Sequence, residues 1–160
     1  MPETQIRPKI ESDASWVSEI SREYWGAETV IAHGEVFHPA DLNGFIAWQG
    51  NERVGLIIFI SAADSCEIIT LNVLLPNQGI GSMLIATVVE LTRQQGCAKL
   101  QLVTNNDNTR ALCFYQKEGF RLTALRIGAV NEARKVKPEI PLIGEDGIPI
   151  RDEIELELAL

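Results

Sequence analysis

"LLPNQGIGSMLIATVVEL", residues 74–91, carries two closely spaced glycines and then an unbroken amphipathic pattern. Beyond Gly81, Leu84, Ile85, Val88, Val89 and Leu91 recur on one face while Thr87, Glu90 and Gln94 mark the other, so a helix is expected to run to Gly96. The preceding run, "CEIITLNVL" (66–74), has the length and β-branched content of a strand. A strand that turns on glycines into a helix leaves bare backbone amides at the helix start, and such a start favours an anion, a phosphate above all. Two common phosphate loops are excluded. A Walker loop needs a lysine after its second glycine, where Ser82 stands. A dinucleotide fingerprint needs a third glycine where Leu84 stands, and a strand that opens the domain. A tight turn without ligand stays open on these residues alone.

Outward from this stretch, the chain alternates its periods. "QIRPKI" (5–10) is a short strand edged by Pro8, and "SDASWVSEISREYW" (12–25) a helix with Ser12 or Asp13 as N-cap. Residues 26–43 look irregular and hold both histidines, His33 and His38. Strands follow at 44–49, 53–61 and 66–74, separated by turns at Gly50–Asn51 and Ala63–Asp64–Ser65, which makes an antiparallel meander. After the glycine helix come a strand (98–104), the loop "NNDN", a helix (109–119) stopped by Gly119, and a strand (120–128). "AVNEARKVK" (129–137) reads as a helical turn or two. A Pro/Gly-punctuated connection and a closing strand (153–160) end the chain. The expected fold is α+β: a mixed, mostly antiparallel central sheet with one parallel strand–helix–strand unit and helices on both faces. Residues 1–160 are expected to form a single domain.

With 22 acidic against 14 basic residues, the net charge of −8 argues against a nucleic-acid-coating role, which feeds on lysine and arginine. No apolar run reaches the roughly 18 residues of a membrane span, and "MPETQIRPKIESD" lacks a secretory signal, so a cytoplasmic protein is expected. Cys66, Cys97 and Cys113 sit in apolar contexts without C-x-x-C spacing and read as buried thiols. With two histidines and no metal-ligand spacing, no metal site is expected.

A second motif decides what the glycines serve. In "NTRALCFYQKEGF" (108–120), Asn108, Ala111 and Tyr115 fall on one helix face and make a slot with polar ends. The pattern N-x-x-A-x-x-F-Y-x-x-x-G-F, together with "CEIITLNVLLPNQGIGSMLI", resembles the GNAT superfamily of coenzyme-A-dependent N-acetyltransferases, over residues 5–125 and the final strand. One position departs from the family's R/Q-x-x-G-x-G/A turn: Pro76 stands at the Arg/Gln place and Gln78 directly precedes Gly79.

The resemblance implies acetyl-CoA as co-substrate, its pyrophosphate on the amides around Gln78, Gly79, Ile80, Gly81 and Ser82, and its pantetheine arm along Leu71 and Val73. Asn108 is then expected to bond that arm, or to cap its own helix. The implied reaction is direct attack of a primary amine on the thioester through a tetrahedral intermediate. Glu67 matches the family's general base, acting directly or through a water, and Tyr115 the tyrosine that serves the departing thiolate. A non-catalytic coenzyme-A-binding sensor or interaction module is the alternative. The acceptor pocket is expected between the first helix region, with Trp25, His33 and His38, and the long connection 126–153. That connection offers Arg134, Lys135 and Lys137 for an acidic acceptor and Asp146, Asp152 and Glu153 for a cationic one. The acceptor is a small-molecule or peptide amine on this reading. No nucleic acid or membrane is involved, and a two-fold dimer is the expected form of any self-association.

Overall fold

A computed structural model of the chain describes residues 2–62 and 64–160. Ala63, the first residue of the turn expected at 63–65, lies outside the described residues, as does Met1. Nine strands occur among them. β1 (Thr4–Pro8), β4 (Asn43–Gln49), β5 (Glu52–Ser61), β6 (Ser65–Val73), β7 (Lys99–Asn105), β8 (Arg121–Arg126) and β9 (Glu153–Ala159) form one sheet in the order β1-β4-β5-β6-β7-β9-β8. β2 (Val30–Ala32) and β3 (Glu35–Phe37) pair as a separate hairpin. The helices are α1 (Ala14–Trp25), α2 (Ile80–Gln94), α3 (Thr109–Lys117) and α4 (Ala129–Val136).

β6 and β7 are the parallel pair, joined through α2; the other pairings in the sheet are antiparallel. The expected α+β class is therefore the observed one. Helices cover both faces. Val17 and Ile20 of α1 pack on Ile46, Leu56 and Ile58, while Leu84, Ile85 and Val88 of α2 belong to the core that holds Ala47, Ile57 and Phe59. β5 thus gives alternate residues to two cores. That is why its sequence is an almost unbroken apolar run rather than an alternating one.

Four details differ from the sequence reading. Residues 26–43 are not irregular, because they hold the β2–β3 hairpin, with His33 at its turn in a left-handed conformation (φ 54°). Asp13 stands at the N-cap of α1 as expected, but its side chain makes no capping bond there: its carboxylate accepts from the Ile10 N–H at 2.9 Å and pairs with Arg53. The partner strand at 153–159 needs a surface to close on, and β9 enters between β7 and β8, so the crossover through α3 passes over a strand. The cysteines divide, since Cys66 and Cys97 are paired as a disulfide and Cys113 is exposed.

α2 holds one face of the sheet, and Leu84 is fully buried at its centre. Leu84→Ala should therefore cost about 2–5 kcal/mol, through lost transfer energy and the cavity left behind. Urea unfolding measures it, and a loss below about 1 kcal/mol would contradict the packing described.

Candidate active site

The site begins with a register change. β6 pairs with β5 as Thr70 to Ile58 and Ile68 to Phe59, so Ile69 is one residue too many and bulges. Side chains change sides there: Cys66 and Ile68 face the α2 core, and so do Leu71 and Val73. The parallel pairing with β7 stops at the same place, after Ile68–Leu102. From Ile69 to Val73 the β7-side edge of β6 has no strand beside it among the described residues, and Val103–Asn105 of β7 keep β9 alone as a partner. The sheet is split, and a cleft of about 640 Å³ lies at the split. Its walls include Leu71, Asn72, Val73, Thr104 and Asn108, with Trp25 and the segment 129–150 opposite.

The turn after β6 carries Asn77 (φ 63°) and Gly79 (φ 72°) in left-handed conformations, and Gly79 is the N-cap of α2. A side chain at Gly79 would meet open space, so its glycine answers to the backbone angle. Gly81 has another reason. A Cβ there would lie 3.0 Å from Phe114 Cζ and 3.4 Å from Val73 Cγ2, so α3 and β6 close against it. Among the described residues, the N–H groups of Gly79, Ile80, Gly81 and Ser82 have no acceptor; the first helical bond runs from Met83 N–H to the Gly79 carbonyl. Gln78 is exposed and accepts from the Gln49 amide at 2.8 Å, and the Ser82 hydroxyl donates to Glu118.

The remaining expected residues fall on different sides. Asn108 caps α3, accepting from the Ala111 N–H at 3.3 Å, and donates to Thr104 Oγ1 at 3.2 Å while also lining the cleft. Tyr115 lies buried in the α2-side core, its ring edge-on to Phe114 and Phe120. Burial pushes its phenol far above the ordinary range, and among the described residues its hydroxyl makes no hydrogen bond. Glu67 is buried on the opposite, α1-side face, where His33 Nε2 lies 2.7 Å from its Oε1. Burial raises its pKa, against the His33 charge and the hydrogen bonds of His33 and Gln101. His38 is exposed and takes no part.

Three groups escaped the sequence reading of the site's interior. Glu153, weighed only as a residue of the connection, stands at the start of β9 and lines the cleft, with His33 Nδ1 4.0 Å and Arg126 Nη1 3.6 Å from its Oε1. His33 thus sits between two buried carboxylates. Thr70 and Asn72 follow the bulge on β6, and Thr70 Oγ1 and Asn72 Oδ1 are both buried without a hydrogen-bond partner among the described residues. A polar residue at every second position of a strand signals a face, yet the bulge that turns this face into the cleft leaves no mark in the sequence.

Residues 11–120 match the family described as "Acetyltransferase (GNAT) family". The Bacillus subtilis protein YxbD, itself uncharacterized, is 40% identical over 152 residues, spanning 94% of this chain and 96% of that protein. A GNAT family acetyltransferase from Elizabethkingia anophelis, solved with acetyl-CoA bound, superposes with a TM-score of 0.70 at 25% identity, over 98% of each chain. An IAA acetyltransferase from Bacillus cereus shares the fold at a TM-score of 0.73 and 22% identity, over 99% of this chain and 100% of that one.

The Glu67 environment has a pH signature. Its carboxyl holds a proton more tightly in the native chain than in the unfolded one, whose value is 4.5. That contribution to stability is full below the unfolded value and is lost as pH rises through the folded value. Glu67→Gln retains an acceptor for His33 and escapes the loss, so its stability should gain on the parent's as pH rises through that window. Denaturant midpoints between about pH 4 and about pH 8 measure the difference, and a pH-independent gap would refute it.

Proposed function

The chain belongs to the GNAT family of acetyltransferases, and from that premise we propose that it moves an acetyl group from acetyl-CoA to a primary amine. One observation carries the reading: the unpaired edge of β6 leads directly to the four free amides that open α2. An extended pantetheine arm finds backbone partners along Leu71 and Val73, as an added strand would, and a diphosphate finds the N–H groups of Gly79, Ile80, Gly81 and Ser82 with the helix dipole behind them. The acetyl-CoA complex of the Elizabethkingia relative supports the same co-substrate here.

In the reaction the amine nitrogen forms a bond to the thioester carbonyl carbon through a tetrahedral intermediate. The carbon–sulfur bond then breaks, and the thiolate leaves with the electron pair. An ammonium has no lone pair to attack with, so a base must first take its proton. Glu67 with His33 supplies that base in this proposal; the burial that raises the carboxyl brings it nearer the amine's range. Tyr115 serves the thiolate. Its phenol stays protonated and unpartnered, and a thiolate of pKa about 8.5 is too weak a base to take the proton outright, so hydrogen bonding to the developing anion is the role assigned. Asn108, tied to Thr104 and to its own helix, orients the wall against which the arm would lie.

Release of coenzyme A thiol from acetyl-CoA across a panel of primary amines tests the proposal. Acetyl-CoA binding without thiol release from any amine would favour a sensor or interaction module instead. Tyr115→Phe should lower turnover by about 10–100-fold with the acetyl-CoA dissociation constant nearly unchanged, and equal losses in both would contradict its role. Gln78 offers a cleaner probe of the diphosphate than the glycines, because it is exposed. Gln78→Glu should weaken coenzyme A binding about fivefold and Gln78→Lys strengthen it, at equal thermal stability. Calorimetry of both variants decides it, and a charge-independent affinity would rule out the helix start as the anion site.

A further inference from the structure

Which amine the cleft accepts depends on which of its charges remain available. The three basic side chains that the sequence offered for an acidic acceptor, Arg134, Lys135 and Lys137, are engaged within the fold. Arg134 donates to the carbonyls of Ile140, Pro141 and Ile150 and to Asn131, and Lys135 pairs with Glu132 on the same helix. Lys137, buried and with its pKa lowered by desolvation, donates from Nζ to the carbonyls of Trp25 at 2.9 Å and Thr29 at 2.7 Å. Nothing in that set is left to hold an acidic acceptor.

The acids are placed differently. Asp152 is engaged, accepting from the Gly128 N–H, but Glu153 and Asn72 line the cleft with one oxygen each that is buried and has no hydrogen-bond partner. Their residues are 7% and 5% exposed. Glu153 shares Arg126 with Glu155, so the deep end carries more carboxylate than fixed cation. A second acidic zone, Asp107, Glu145 and Asp146, lines the same cleft at the start of α3. There, among the described residues, the one hydrogen bond from another side chain to a carboxylate is a long one, 3.5 Å, from the Thr109 hydroxyl to Asp146. Burial, and to a lesser degree the charges of Asp146 and Glu145, push the Asp107 carboxyl up against a backbone hydrogen bond that lowers it. Arg110 is the one basic side chain of the lining, among the described residues, that is exposed rather than bonded within the fold.

The outer zone is acidic throughout, and in the deep one carboxylates outnumber the single fixed cation, Arg126, whose Nη1 lies 3.6 Å from Glu153 Oε1; such a cleft calls for a molecule with cationic donors at two points. An ammonium is that donor, with three N–H groups and no acceptor. We propose that the acceptor is a linear diamine or polyamine, one ammonium held between Asn72 Oδ1 and Glu153 Oε1 and a second among Asp107, Glu145 and Asp146. This rests on the acetyl-transfer reading only for what happens after binding; the cation site stands on the geometry itself. Isolated monoamines fill one zone and leave the other unsatisfied. Amines that bear a carboxylate meet repulsion in both.

Calorimetric titration of the full chain with spermidine, putrescine, butylamine and β-alanine, followed by thiol release from acetyl-CoA with each, tests it. Spermidine and putrescine should bind at least about tenfold more tightly than butylamine, and β-alanine least. The double variant Glu145→Gln/Asp146→Asn, and separately Asp107→Asn, should abolish that margin while leaving butylamine binding as it was. Because the chain as a whole is acidic, Glu11→Gln/Glu52→Gln, two exposed sites outside the cleft, must keep the margin. Equal binding of butylamine, preference for β-alanine, or equal loss in that control would overturn the proposal. The diamine margin without thiol release from any amine upholds the cation site and removes the acetyl-transfer reading. Thiol release that is as efficient with butylamine as with spermidine does the reverse.

Discussion

The whole site depends on a hydrogen-bond ladder that stops. β6 and β7 pair from Ser65–Lys99 to Ile68–Leu102 and then part, because Ile69 adds a residue to β6 and bends it away. A continuous ladder would have satisfied every backbone group and left no room for a ligand. The interruption leaves polar backbone exposed along one strand edge, which is costly unless something comes to pair with it. It also reverses the facing of the side chains beyond it, so Leu71 and Val73 pack in the α2 core while Asn72 is turned toward the cleft. One inserted residue therefore creates the cavity and chooses its lining.

The rest of the sheet holds that split open. β5 is packed on both faces, by α1 through Leu56 and Ile58 and on the α2 side through Ile57 and Phe59, so β6 keeps a rigid neighbour on its other edge. β9 does the same for β7 along its full length. The connection between β8 and β9 closes the far wall, and Arg134 and Lys137 are consumed in doing so. Arg134 ties the connection to itself, and Lys137 bolts it to the end of α1. The cations hold the wall in place, and the carboxylates face inward with few partners. The charge of the cleft follows from that division of labour more than from composition.

Several residues answer to two constraints at once, which changes how their chemistry is read. Gly81 is bare partly because Phe114 packs against it, so a bulky substitution there disturbs the union of α2 and α3 as well as any phosphate. Asn108 caps its helix and still faces the cleft. Tyr115 anchors an aromatic cluster with Phe114 and Phe120, and only its unpartnered hydroxyl is available for other work. In each case a local packing or capping requirement already explains the residue type.

By itself, the sequence determined the class of the fold, the order of nearly all its elements and the family. Those rest on periodicity, on glycine positions and on a motif from Asn108 to Phe120, all of which are short-range and survive in one dimension. It also marked Glu67, Tyr115 and the glycine turn as residues to examine. Tertiary structure decided what no local pattern carries: the bulge at Ile69, the insertion of β9 between β7 and β8, the disulfide of Cys66 and Cys97, and the meeting of His33 with Glu67 and Glu153 across 34 and 120 residues of chain. It decided as well which charges of the connection stay free. A side chain's availability depends on whether distant backbone carbonyls and carboxylates reach it first, and that competition exists only once the chain has folded.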